Sequence, residues 1–174
     1  PPMINKGKFH YAEYREIAYR SKWQKGIARY KMFYGNSIFD KKPVESVKML
    51  VEAESELEKL KDYPSQIYTL MRLSMSLTHK TDSLSALSYI DKAISIAKKI
   101  KSRKWLLRTL NYKANAYVYR DRLDIAIPIF EEIDKFEDID FQNKLINDLN
   151  LGMCYINFKR VKEGMPYLTR VLSK

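Results

Sequence analysis

LRTLNYKANAYVYRDRLDIAIPIF (107–130) places two alanines, Ala114 and Ala126, in apolar stretches separated by the polar turn YRDR at 119–122. The arrangement occurs four times. A first series of small residues runs Gly35, Ser74, Ala114, Gly152, with gaps of 39, 40 and 38. A second, eleven or twelve residues behind it, runs Ser46, Ala86, Ala126, Gly164, with gaps of 40, 40 and 38. Two series with one period mark an internal repeat. EIAYRSKWQKGIARYKMFYG (16–35) also aligns without gaps on SIAKKIKSRKWLLRTLNYKA (95–114), matching Ile17, Ala18 and Arg29 to Ile96, Ala97 and Arg108.

Small residues at a fixed period permit close helix packing. Each repeat therefore reads as helix A, a short turn and helix B. The turns are FDKKP (39–43), HKTDS (79–83), YRDR (119–122) and FKRVK (158–162). Helix B starts are signalled by Pro43, by Asp82 or Ser83, and by Asp121 with Asp124 three residues on. The apolar spacing of Val47, Leu50, Val51, Leu57 and of Leu87, Ile90, Ala93, Ile94, Ala97 is helical. Pro128 and Pro166 share a register, and a proline deep in a helix costs about 3 kcal/mol. They are expected in the first turn of helix B or at a kink.

Composition agrees. The 174 residues are 45% hydrophobic and 30% charged, with only 5 Gly and 6 Pro, which excludes a disordered chain and disfavours an all-β fold. One cysteine, Cys154, excludes an internal disulfide and a multi-cysteine metal site. No uninterrupted apolar stretch is long enough to span a membrane. There is no glycine-rich phosphate loop, H-E-x-x-H or G-x-S-x-G, so no enzyme is expected and no cofactor or metal. Cys154, in LGMCYINF, reads as a core residue. His79 reads as a cation at a helix end. Glu52, Glu54, Glu56 and Glu58 alternate at a spacing that sends them round a helix, and the acids at 131–140 read as a solvated helix end.

The net charge of +11 is uneven. Residues 62–120 hold eleven basic and three acidic residues, and no acid occurs from Lys92 to Arg120. Lys98, Lys99, Lys101, Arg103, Lys104, Arg108 and Lys113 form the densest basic stretch, suited to phosphates or an acidic peptide, or simply solvated.

The chain resembles the tetratricopeptide repeat family. The likeness rests on the small pairs Gly35/Ser46, Ser74/Ala86, Ala114/Ala126 and Gly152/Gly164. It rests also on Tyr117 and Tyr155 after the first small residue, and on ALSYIDKAISIA, AIPIFEEI and GMPYLTRVL. The period is near 39 where 34 is usual, and the closing proline is missing. Such long repeats resemble those of bacterial regulators and sensors. The resemblance implies an all-α, right-handed superhelical solenoid of antiparallel helix hairpins. Four repeats are expected at about 21–61, 62–101, 102–138 and 139–174, behind the end helix of a preceding repeat at 1–20. A fragment of a longer protein is implied, with Leu168, Val171 and Leu172 seeking a neighbour.

In this family the A helices line the concave groove. That register sends Arg29, Met32 and Asn36 inward, then Tyr68, Met71, Arg72 and Met75, then Arg108, Asn111, Tyr112 and Asn115, then Ile146, Leu149, Met153 and Asn157. Asn36 and Asn115 share a register and suit a peptide backbone; Arg29 and Arg108 share another and suit a carboxylate. Two net hydrogen bonds of about 1 kcal/mol each fall far short of the roughly −8 kcal/mol of micromolar binding, so Met and Tyr contacts must supply most of it. The methionines also fit a core role. The implied function is protein or peptide binding by the interaction part of a larger bacterial regulatory or sensor protein. Alternatives are a nucleic-acid-associated transcriptional regulator, with contact through a flanking domain, and a dimerisation domain joined through uncapped ends. The lone cysteine fits the cytoplasm, and a periplasmic domain of a membrane-anchored sensor is the other reading.

Overall fold

The computed structural model describes residues 10–78, 83–137 and 139–173. Among them are nine helices and no strand: α1 (Tyr11–Arg20), α2 (Gln24–Ser37), α3 (Pro43–Lys59), α4 (Tyr63–Thr78), α5 (Ser83–Lys99), α6 (Arg103–Val118), α7 (Leu123–Asp134), α8 (Phe141–Asn157) and α9 (Val161–Leu172). Each helix packs on the next in sequence. The even-numbered A helices thus alternate with odd-numbered B helices. Successive A helices α2, α4 and α6 also touch, whereas successive B helices do not approach as closely. The layer therefore curves, with A helices inside.

The small residues lie where hairpins close. Ser46, Ser74, Ala86, Ala114 and Ala126 are buried, as are Gly35, Gly152 and Gly164. Ser46 Oγ donates to the Gly35 carbonyl at 2.7 Å. A Cβ on Gly164 would sit 2.7 Å from the Gly152 carbonyl oxygen. Backbones approach this closely only where side chains are missing.

Pro43 is the first residue of α3, as its fixed φ favours. Asp121 is not the cap of α7; Arg122 holds that place, without a side-chain bond. Asp121 has φ 56°, a left-handed residue in the turn. Arg122 N–H donates to the Tyr117 carbonyl and Asp121 N–H to that of Val118, the Schellman pattern. Lys22, Lys61, Lys101 and Lys159 repeat this geometry with φ of 52–62°. The turns that usually take glycine thus take lysine four times. Asp82 and His79 lie outside the described residues.

Pro128 and Pro166 are neither in a first turn nor at a break. Each is the sixth residue of its helix, inside α7 and α9. Both are exposed, so the carbonyl each leaves without an N–H partner faces water.

The core runs as three clusters. Ala28, Met32, Ala53 and Leu57 join α2 to α3. Ile67, Leu70, Met71, Ile90, Ala93, Ile96 and Ala97 join α4 to α5. The largest, around Phe130, Ile127, Leu110 and Leu151, joins α6, α7 and α8. The alternating glutamates of α3 do converge, in pairs: one turn apart, Glu52 and Glu56 both hold Lys31 of α2, at 2.9 and 2.6 Å, and Glu54 and Glu58 both hold Lys92 of α5, at 2.9 and 3.0 Å.

Candidate binding groove

The A helices place the predicted groove residues unequally. Met32 and Met71 belong to the core and do not present to a groove: they are 3% and 2% exposed. Both lie three residues before the small residue, where one A helix meets the next; Tyr68 of α4 packs on the Met32 cluster and Tyr112 of α6 on that of Met71. Leu149 holds the same register on α8 and is 46% exposed, as are Ile146 and Met153 to a similar degree.

Arg29 is not free to take a partner's carboxylate. Its Nε donates to Asp62 Oδ2 at 2.8 Å and to Ser65 Oγ at 3.2 Å, beside the start of α4. Burial pushes the Asp62 carboxyl up, but bonds from Arg29 and Ser65 and the charges of Arg29 and Lys25 outweigh it and hold it below its ordinary value. Arg108, its register mate, has no such carboxylate among the described residues and is exposed, its guanidinium 5.3 Å from the Trp105 ring centre.

Three predicted residues do come together. Met75 of α4 and Tyr112 and Asn115 of α6 line a cleft of about 300 Å³ with Ser74, Thr78, Ala116 and Tyr119. Both walls are A helices, so the cleft opens on the inner face. Asn115 Nδ2 donates to Asn111 Oδ1 at 2.8 Å and to the Asn111 carbonyl at 3.0 Å, which fixes the amide. Two further groups seek partners: among the described residues, Asn36 Oδ1 of α2 and Arg72 Nε of α4 are buried with no hydrogen bond, although Arg72 Nη1 reaches Met75 Sδ at 3.4 Å. A buried donor or acceptor left so costs about 1–3 kcal/mol. Asn157 stands exposed at the end of α8, apart from the cleft.

Solved structures share this architecture. A crystal structure of the nearly identical TPR-like repeats of a kinesin light chain type protein from Podosopora anserina superposes with a TM-score of 0.66, at 16% identity, over 94% of this chain and 84% of that one. A second crystal structure of those repeats gives 0.64 at 15% identity over the same shares. The chain folds as a solenoid of tetratricopeptide-like repeats. No protein-family model matches the sequence, and no curated protein matches it.

The one thiol is ill suited to nucleophilic work: Cys154 is buried in the core, and burial pushes it up to about 11. Among the described residues no three His, Cys, Asp or Glu side chains converge on a metal position, and no helix is long and apolar enough to cross a membrane.

Sequence reasoning missed the Lys31 and Lys92 clamps on α3, since their partners come from other helices. It also missed Asp148 of α8, a buried carboxylate held by Arg170 Nη2 at 2.9 Å and Nε at 3.1 Å. The signal for both lay in paired charges one helical turn, or one hairpin, apart.

Proposed function

We propose that this solenoid captures an extended peptide or protein segment in the cleft between α4 and α6, as the interaction part of a larger bacterial regulatory or sensor protein. The observation that carries this reading is the cleft itself, apolar at Met75, Tyr112 and Tyr119 and polar at the fixed amide of Asn115. A peptide side chain would bury against Tyr112 and Met75. Its backbone would meet the Asn115 amide. The regulatory setting is supported by the repeat period near 39.

The test selects binders from a displayed library of random peptides, then measures the best by calorimetry. Tyr112→Ala should weaken binding by about tenfold or more, the loss of an aromatic contact of about 1.5–3 kcal/mol, measured at a temperature where far-UV circular dichroism shows the variant folded, because Tyr112 also packs on the Met71 cluster. Selected peptides that bind Tyr112→Ala and Met75→Ala as well as wild type would move the site elsewhere.

A further inference from the structure

The two ends of the hairpins carry different charge. The turns from a B helix to the next A helix share one edge of the solenoid, and the turns from A to B share the other. At the first three B-to-A turns (20–26, 59–65 and 99–105) the sequence has nine cations and one carboxylate. That carboxylate is Asp62, which is buried and already held by Arg29 and Lys25. At the described A-to-B turns (38–45, 119–124 and 158–163) seven cations face five carboxylates. There each turn closes an ion pair of its own: Lys42 with Glu45, Arg122 with Asp124, Arg160 with Glu163.

On the basic edge, Lys22, Lys61 and Lys101 recur at 39 and 40 residues in one backbone conformation, exposed and without an ion pair among the described residues. All three are left-handed, a conformation that disfavours any residue with a Cβ. They follow the ends of three successive B helices, one to each hairpin layer. Aromatic rings stand among them. Trp23 follows Lys22, is 45% exposed, and lies over Gly26, where a Cβ would run into its ring. Lys99 Nζ lies 5.3 Å from the Tyr63 ring centre, and Arg103 the same distance from that of Phe136. The fourth B-to-A turn, 134–140, has one cation and four acids, so the basic strip ends there.

We propose that this edge binds single-stranded nucleic acid, with Lys22, Lys61 and Lys101 on phosphates along one strand and Trp23 as a stacking platform for a base. Lysines unspent on carboxylates, interleaved with aromatic faces, are what a flexible polyanion with planar bases requires. An acidic polypeptide would use the charge and leave Trp23 idle. The surface is distinct from the cleft on the inner face.

The test is fluorescence anisotropy with a labelled single strand of about 12 nucleotides, titrated at several salt concentrations. The triple variant K22G/K61G/K101G removes three charges and relieves three left-handed side chains, so loss of binding does not follow from loss of fold. Binding should weaken at least about tenfold at low salt. The slope of log K against log salt should become shallower by about 2, near 0.7 for each lost phosphate contact. The triple variant K41Q/K159Q/K162Q, which removes the same three charges from the opposite edge, should bind far closer to wild type than the glycine variant. Trp23→Ala should weaken the oligonucleotide and leave any binding of polyglutamate unchanged. Wild-type affinity in the glycine variant, equal loss in the opposite-edge variant, or polyglutamate bound as tightly as the oligonucleotide would each overturn the proposal.

Discussion

Replacing Gly164 by alanine sets two effects of known sign against each other. Alanine gains about 0.8–1.0 kcal/mol over glycine from helix propensity. The new Cβ, however, would lie 2.7 Å from the Gly152 carbonyl oxygen and 3.0 Å from Tyr155 Cβ. The first is about 0.7 Å inside ordinary contact, against backbone that has no rotamer to change. Helices α8 and α9 must separate, at an overpacking cost of about 1–3 kcal/mol. The net expectation is destabilisation by up to about 2 kcal/mol. Gly35→Ala is the internal control. Its Cβ would meet Met49, Leu50 and the Ser46 carbonyl at 3.2–3.3 Å, which calls for a few tenths of an ångström of movement. There the propensity gain should cancel the cost or exceed it. Urea unfolding followed by far-UV circular dichroism separates the two. Fluorescence would not, since Trp23 and Trp105 lie outside the last hairpin. A Gly164→Ala midpoint equal to or above that of Gly35→Ala would refute close backbone approach as the reason for the small residues.

Three further outcomes follow from the packing and the charges. Lys61→Gly should stabilise by about 0.5–1 kcal/mol in urea unfolding, the relief of a left-handed side chain less the added freedom of the unfolded chain; a lower midpoint would mean the Lys61 side chain makes a contact that matters. Asp62→Asn should cost about 1–3 kcal/mol at neutral pH, because it removes the partner of Arg29. The folded Asp62 pKa lies below the unfolded one, so its contribution is complete above about pH 4 and is lost as pH falls through the folded value. The difference between wild type and Asp62→Asn should therefore shrink in acid, and a pH-independent difference would refute the ion pair's role. Cys154, raised to about 11 and buried, should react with a thiol reagent only at the rate of unfolding, and rapid labelling of native protein would contradict its place in the core.

The two series of small residues made the helical hairpins legible because a solenoid repeats its closest contact at a fixed interval. The groove was legible only in part. Met75, Tyr112 and Asn115 fell together, but Met32 and Met71 sit about one helical step round from the open face, where the next A helix covers them. That cover is a property of neighbouring repeats, and a register taken within one repeat does not contain it. Arg29 and Arg108 look alike in sequence. They part because Asp62 stands at the start of α4, while Ser102 and Asp140 at the equivalent starts of α6 and α8 turn to cap their own helices through Trp105 N–H and Asn143 N–H. The Schellman turns were hidden because lysine stands where glycine gives the usual signal.

The two lysines gripped by the glutamates of α3 bear on the order in which the molecule comes apart. The α2–α3 hairpin has the smallest apolar cluster of the three and is held in addition by part-exposed charge pairs from α3 to Lys31 of α2 and Lys92 of α5, whereas α6, α7 and α8 share the largest cluster. Charge pairs at a surface fade as ions accumulate, while apolar contact does not. In a molecule whose layers hold mainly to their neighbours, such a gradient lets one end open while the other stays shut. Rising ionic strength should therefore pull the melting of the first hairpins away from that of the centre, turning one transition into two.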